Sequence, residues 1–484
     1  MTSKYEQAML VIDGKALAGE AGAPVLDPST GEQIGVVPHA TQVHLQAAVD
    51  AAQRGFAAWR STPPQKREQV MARAAELIRA RSKDIGAIIT REQGKPIAEA
   101  EIEVIRAAEL VDWNAHEGRR TYGRVIPGPA GMRQMVLREP IGAVAGFSPW
   151  NSPASAPARK IGAALAAGCS IVLKAAEETP AGAYAFVRCF MEAGVPDGVV
   201  NLVFGNPAEI SRFLIDSTVI RAITFTGSVP VGMHLARMAA GRMKPALMEL
   251  GGHSPLIVCG DADPVQAARI AAAGKFRNAG QVCISPTRFI VDKSVYRAFA
   301  DAFTEFAREL KVGPGFEPGV KMGPVLRPRR VEAMEGLVSD AIARGASVAA
   351  GGNRRDGSGF FFEPTVLLDV PLDARVMNEE PFGPVAPVVP FQTLDEAIRI
   401  ANSLPLGLAG YAFTDSAVSA GRLADELQVG HLSINHVGAG LPESPFGGVR
   451  ESGQGREGGI EGLEGYMVTK FVSHRFRTDV PLSS

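Results

Sequence analysis

One of the four cysteines stands in surroundings that suit a nucleophile. Cys169, Cys189 and Cys259 lie in apolar text and read as small buried hydrophobes. Cys283 instead closes the run Phe276-Arg277-Asn278-Ala279-Gly280-Gln281-Val282-Cys283, where a helical pattern is broken by Ala-Gly and where Arg277, Asn278 and Gln281 make the neighbourhood polar. A partly exposed thiol near positive charge is the kind that ionises and attacks an electrophilic carbon. Glu249 is a carboxylate set inside the apolar run 246–250, where lost hydration raises a pKa toward the range of a general base. No histidine falls in these runs, which disfavours a Cys-His hydrolase. The eight histidines do not cluster with cysteines or carboxylates at ligand spacing, which speaks against a metal.

A second set of candidates sits where short β-rich runs end. Open parallel sheets bind ligands at the carboxyl ends of their strands. Four such ends are Pro149-Trp150-Asn151, Lys174-Ala175-Ala176-Glu177, Phe204-Gly205 and Phe225-Thr226-Gly227-Ser228. Lys174 could bond a ribose or phosphate, Glu177 could accept from a ribose diol, and Gly227-Ser228 opens a helix suited to a pyrophosphate. Each alone is equally well read as ordinary loop polarity; their coincidence on one sheet edge is what points to a ligand. The one G-x-G-x-x-G, Gly453 to Gly458, follows a Gly/Pro-rich loop rather than a strand, so it reads as a structural turn and not as a dinucleotide fingerprint.

The elements that must hold these residues follow from periodicity. Residues 41–117 are Ala-rich and helical, with Val49, Ala52, Phe56 and Trp59, then Val70, Ala74 and Leu77, at helical spacing. Strand-like runs at 143–147, 171–174, 199–204 and 220–226 alternate with helical runs at 155–167, 179–193, 207–216 and 230–240, which predicts a doubly wound parallel sheet. After the Glu249-Leu250-Gly251-Gly252 turn a second α/β layer is expected, with strands at 255–258 and 289–291 and helices at 264–279 and 295–310. Residues 119–138 read as an extended hairpin and 468–476 as one more strand.

Composition excludes several classes. At ~150 residues per domain, 484 residues should hold about three folding units. Lys plus Arg (50) nearly cancels Asp plus Glu (51), so no whole-protein field attracts nucleic acid or an anionic membrane. Arg327-Pro328-Arg329-Arg330 accordingly reads as a solvated loop. No C-x-x-C pair occurs, no apolar stretch opens the chain, and the uncharged run 161–173 is shorter than the ~18 residues of a membrane helix, so a cytoplasmic location is expected.

Taken in order, Pro149-Trp150-Asn151, Lys174-x-x-Glu177-x-Thr179-Pro180, Phe225-Thr226-Gly227-Ser228, Met248-Glu249-Leu250-Gly251-Gly252, Gly280-Gln281-Val282-Cys283, Glu380-Pro381-Phe382-Gly383-Pro384 and Pro445-Phe446-Gly447-Gly448 resemble the successive signatures of the NAD(P)-dependent aldehyde dehydrogenases, over roughly residues 10 to 475. Ala175 replaces the usual proline after the cofactor lysine, and Asn206-Pro207 replaces a Gly-rich run.

The resemblance implies a cofactor-binding domain at 1–118 and 141–248, a catalytic domain at 249–450, and a small β oligomerisation element at 119–140 and 467–484, assembling a homodimer or homotetramer. It assigns Cys283 as nucleophile, Asn151 with the Cys283 N–H as oxyanion donors, and Glu249 as the base for thioester hydrolysis. Trp150, Lys174, Glu177, Gly205, Gly227, Ser228, Glu380 and Phe382 would meet the cofactor, with Glu177 favouring NAD over NADP. Arg159 and Arg277 are similar to positions where succinate-semialdehyde dehydrogenases grip the substrate carboxylate. The loop before Pro445 departs from that subfamily, with Leu441 where a serine is expected, so an uncharged aliphatic or aromatic aldehyde is the alternative. A CoA-acylating enzyme is disfavoured by Glu249, and a non-catalytic family member by the presence of Cys283, Glu249 and Asn151 together.

Overall fold

The computed structural model describes residues 5–438 and 440–476. Four helices, Gln42–Arg60, Pro64–Ala80, Ser82–Gln93 and Ile97–Glu117, follow one another near the N-terminus. Their starts are local chemistry: the Thr41 hydroxyl accepts from the His44 amide, and Pro64 occupies a first-turn position where its missing N–H costs nothing. Val49, Ala52, Trp59, Val70 and Ala74 point inward as the spacing requires, while Phe56 is half-buried beneath Arg60. Each buried Val or Leu contributes about 1.5–3 kcal/mol, so the apolar face, rather than helix propensity, holds this layer.

That layer covers a sheet whose five central strands are parallel, in the order Val200–Val203, Ser170–Lys174, Ala143–Phe147, Ile220–Gly227 and Ala246–Leu250. The short strands Leu10–Ile12 and Lys15–Leu17 close one edge and Gly453–Gln454 the other, all antiparallel. From Ala143–Phe147 the chain winds outward to Val200–Val203, then crosses back to lay Ile220–Gly227 on the opposite side. The winding direction therefore reverses between Ala143–Phe147 and Ile220–Gly227, which opens a crevice at their carboxyl ends.

A second sheet runs Ser347–Ala350, Thr365–Leu368, Val385–Phe391, Pro286–Asp292, Ser254–Val258, Ala409–Phe413 and His431–Ile434, parallel except for the first strand. Buried apolar residues divide into two clusters, one from Ala8 to Leu250 joined by Leu463 and Tyr466, the other from Leu256 to Phe446. The division falls at the turn after Glu249. A separate three-stranded antiparallel sheet joins Arg124–Ile126, Met132–Pro140 and Met467–Arg475, so the expected hairpin and the expected tail strand pair with each other. Of the expected element 467–484, residues 477–484 lie outside the described residues, as do 1–4.

Two local expectations need correction. The helix expected over 264–279 ends at Phe276, because Asn278, Ala279 and Gly280 are left-handed, with φ of 49°, 52° and 71°. Arg327-Pro328-Arg329-Arg330 is no solvated loop: proline pre-sets the first turn of helix Pro328–Ala343 there, and Arg327, Arg329 and Arg330 line the main cavity.

Candidate active site

Both sheets feed a single cavity of about 1080 Å3. The first supplies carboxyl ends at the crevice: Ser148, Pro149, Trp150 and Asn151 follow one strand, and Phe225, Thr226, Gly227 and Ser228 end the other. The first sheet's strand Ala246–Leu250 also brings Glu249 and Leu250 to the cavity and leads through Gly251 to the second sheet, which supplies the segments entering the amino ends of two adjacent strands: Val282-Cys283-Ile284, and Glu380 with Phe382. Arg159 and Arg277 complete the set drawn together from the sequence candidates. Lys174, Glu177 and Gly205 do not line the cavity. They follow strands on the outward-wound side of the sheet, away from the crevice, where Lys174 pairs with Glu177. Asn206 caps helix Pro207–Asp216 with its own side chain, so that N-terminus is not open to a phosphate.

The left-handed turn before Cys283 is what delivers the thiol. Holding a non-glycine residue such as Ala279 there costs roughly 1–2 kcal/mol. Gly280 is required on two counts, since its φ is positive and a Cβ would strike the Gly383 carbonyl. The turn is braced by the Asn278 amide donating to Glu99 at 2.9 Å, by the Gln281 side chain donating to the Asn278 carbonyl at 3.2 Å, and by Leu326 N–H donating to Gln281 at 2.9 Å. Asn278 and Gln281 are thus struts rather than activators, and Arg277 faces Glu99 and Arg106. The guanidinium that favours the thiolate is Arg159. Even so, burial and the charges of Glu249 and Glu380 push the half-buried Cys283 thiol well above the ordinary range, contrary to the acidic thiol expected from the sequence.

Asn151 is fixed beside it. Its side-chain amide donates to the Gln281 carbonyl at 3.0 Å, leaving one amide hydrogen for a substrate, and its own carbonyl accepts from Lys95 at 2.9 Å. Lys95 in turn pairs with Glu103, which accepts the Ala154 and Ser155 amides at the start of helix Ser155–Ala167. Nothing in the helical text around Lys95 and Glu103 marks them as supports, because their partners lie some fifty residues away.

Glu249 is 2 % exposed and lies in register with Thr226 on one side and Gly453 on the other. Its Oε1 has no hydrogen-bond partner among the described residues. Burial first, then the Glu457 charge, raise its pKa to about 8, against the pull of Lys160 and Arg159. Lys160 and Glu457 form a fully buried pair at 2.6 Å, with Lys160 also donating to Thr226 at 2.7 Å. Glu457 is a residue that the sequence reading passed over. It sits inside the G-x-G-x-x-G run, which is more than a turn, since Gly453–Gln454 adds a strand beside Met248 and Glu249.

The remaining wall suits a dinucleotide. Helix Val229–Ala240 begins at Ser228 with no side-chain cap, so backbone N–H groups are open for a pyrophosphate beside Gly227. Trp150 and Phe382 stand edge to face with ring centres 5.5 Å apart, and Arg330 holds the Pro381 and Phe382 carbonyls, fixing Phe382 at a φ of 42°. Glu380 accepts from the Gly252 amide, and burial raises its pKa to about 8. Gly251 leaves room for that carboxylate, which a Cβ would displace. Behind it Lys275 is fully buried with no hydrogen-bond partner for its amine, which burial pulls down to about 7. Among the described residues no group of His, Cys, Asp and Glu could hold a metal ion.

Arg159 stacks over the Phe446 ring at 4.3 Å, with Nη1 buried and without a hydrogen-bond partner. Arg277 is half-buried. Leu441, 65 % exposed, lines the same mouth.

Comparison with known proteins agrees with this geometry. Residues 16–472 match the aldehyde dehydrogenase family model. The chain is 48% identical over 476 residues to a 4-(hydroxymethyl)benzenesulfonate dehydrogenase of Comamonas testosteroni, covering 98% of this chain and 99% of that one. It is 43% identical over 450 residues to a probable NADP(+) succinate-semialdehyde dehydrogenase of Sinorhizobium fredii, covering 93% and 92%. The crystal structure of succinate-semialdehyde dehydrogenase from Burkholderia pseudomallei superposes with a TM-score of 0.95 at 41% identity, covering 98% and 99%. A thiol and a buried carboxylate converging beside a dinucleotide-shaped wall, on a chain matched from end to end in this way, place this protein in the aldehyde dehydrogenase family, oxidoreductases that act on aldehydes with NAD(P).

Proposed function

We propose that this enzyme oxidises an aldehyde bearing a terminal anionic group, such as an ω-semialdehyde, to its carboxylic acid, with NAD preferred over NADP. The observation that carries the substrate class is the presence of Arg159 and Arg277 in the same cavity as Cys283, with no carboxylate within ion-pair distance of either among the described residues. Structural arginines are normally paired; unpaired guanidiniums facing a cavity suit an incoming carboxylate.

The chemistry follows from the residues. Glu249 takes the Cys283 proton, and the thiolate attacks the aldehyde carbon to form a thiohemiacetal. The new oxyanion is met by the free Asn151 amide hydrogen and the Cys283 N–H, donors of a kind whose removal costs about 2.7–4 kcal/mol. NAD, when bound along the Trp150, Ser228 and Glu380 wall, supplies the hydride acceptor. A thioester then remains on Cys283. Once Glu249 has passed the Cys283 proton on to solvent it is again a base: it draws a proton from water, the resulting hydroxide adds to the thioester carbon, and the acid leaves as the thiolate is restored. Glu249 also favours hydrolysis over transfer to CoA.

The NAD preference rests on Glu177, which lies off the cavity wall just past the carboxyl end of Ser170–Lys174, the strand beside Ala143–Phe147; there its carboxylate would bond the ribose diol of an adenosine that extends beyond the cavity and would repel a 2′-phosphate. The exposed Val125 and Phe471 of the three-stranded sheet, with Tyr122 just before it, support its use as a contact with a second copy of the chain. Four free cysteines fit a reducing, cytoplasmic setting; among the described residues no helix is long and apolar enough to cross a membrane. The Leu441 side chain at the mouth favours a second reading, an uncharged aliphatic or aromatic aldehyde. An aldehyde panel decides: succinate semialdehyde should exceed an uncharged aldehyde of equal length in kcat/KM by ~10 to 100-fold, and Arg159→Ala or Arg277→Ala should remove that margin through KM. Preference for benzaldehyde or hexanal would leave the family standing and remove the semialdehyde reading.

A further inference from the structure

Helix Ile97–Glu117 turns one face to the cavity, on which Glu99, Ile102, Glu103, Arg106, Glu109 and Leu110 recur at three- and four-residue spacing. The inner carboxylates of this face are already committed. Glu99 accepts the Asn278 amide and faces Arg277, while Glu103 is bound to Lys95 and to the Ala154 and Ser155 amides. Arg106 is different. It lines the cavity, yet among the described residues it makes no hydrogen bond and no ion pair within 4 Å.

The charges around it do not explain its place. Arg106 stays exposed at the mouth; its partial burial against the cavity wall first, then the positive charge of Arg277, disfavour its guanidinium, and Glu109 offsets only part of this. A guanidinium cannot shed its proton to escape such a position. Two like charges lining one cavity repel, so an anion placed between Arg106 and Arg277 would be favoured by both. The guanidiniums are also graded along the cavity. The field of Arg159 falls on the Cys283 thiol, whereas that of Arg277 falls on Glu99, Arg106 and Tyr411. The apolar side chains of Ile102, Leu110 and Leu441 line the same mouth.

We infer that Arg106 is a specificity-determining residue that extends the Arg159 and Arg277 clamp outward, forming with Arg277 a subsite for aldehydes whose carboxylate or sulfonate is held off by a rigid, aromatic-length spacer. The inference rests on the anionic-substrate reading above and adds to it a residue and a substrate length. Its test is a comparison of kcat and KM for 4-formylbenzoate, 4-formylbenzenesulfonate, succinate semialdehyde and benzaldehyde in the parent enzyme, Arg106→Met and Arg106→Lys. Arg106→Met should raise KM for the two aryl anions about 10-fold more than for benzaldehyde, with kcat little changed, and Arg106→Lys should recover most of the loss. Equal effects of Arg106→Met on all four aldehydes, or none on any, overturn the subsite. Should the aryl-anion preference survive Arg106→Met but vanish in Arg277→Ala, the subsite alone is wrong; should the parent enzyme prefer benzaldehyde to every anionic aldehyde, the clamp reading falls and the subsite with it.

Discussion

The two ends of the cavity handle charge in opposite ways. Around Cys283, within reach of Arg159, stand two carboxylates, and burial raises Glu249 and Glu380 to about 8, so that both are largely protonated at neutral pH. At the mouth stand the guanidiniums of Arg106 and Arg277. A buried carboxylate relieves its own desolvation by taking a proton and is thereby stored as a base of near-neutral strength. An arginine has no such release, so an unpaired one in a cavity wall reports on the ligand rather than on the fold. The inner end is therefore suited to proton transfer and the outer end to selection.

The strongest attack on this contrast is at the nucleophile. Cys283→Ala should lower turnover by at least about 10^3-fold while NAD affinity, measured by titration of the protein fluorescence, stays near that of the parent; substantial activity in this variant would sink the assignment. Glu249→Gln comes next, with steady-state turnover down about 10^2 to 10^4-fold and a first-turnover burst of NADH still formed but more slowly, since acylation loses help with the Cys283 proton while hydrolysis loses the base that activates water. Turnover at the parent rate would mean that another group activates water.

A smaller effect sharpens the inner end. Because Glu249 must be ionised to act and its pKa is raised to about 8, kcat should climb with pH from 7 toward 9, by roughly tenfold at most. Glu457→Gln removes a negative charge that holds this pKa up, so the rising limb should move to lower pH. A limb that stays put would disconnect Glu457 from the base. The smallest change is expected far from both ends: Glu177→Ser should narrow the NAD over NADP ratio several-fold by removing the diol contact and the repulsion together, and an unchanged ratio would put Glu177 outside the adenosine site.

Much of the architecture was legible because its signals are local. Strands such as Ala143–Phe147 and Ile220–Gly227, and the helices between them, follow from apolar periodicity within a few residues. Cys283 and Glu249 were visible for the same reason, one through a broken helical pattern and the other through an apolar run. Where a signal spans a turn, resolution was lost: three consecutive left-handed residues follow the helix end at Phe276 although the text still read as helical, because Ala279, between Asn278 and Gly280, adopts a conformation that its residue type does not announce.

What the chain by itself determined is thus the set of elements, the break before Cys283, and the apolar setting that makes Glu249 a weak acid. The tertiary structure alone decided which charges meet. Lys160 and Glu457 pair across 297 residues, Arg159 rather than Arg277 acts on the thiol, Lys95 and Glu103 hold Asn151, and Arg106 turns to the mouth unpaired. The winding of the first sheet likewise keeps Lys174, Glu177 and Gly205 off the cavity wall while carrying Trp150 and Ser228 to it. The physical reason is range: backbone propensity and side-chain periodicity act over a turn or two, whereas desolvation and Coulombic pairing depend on groups brought together only when strand order and sheet edge are settled.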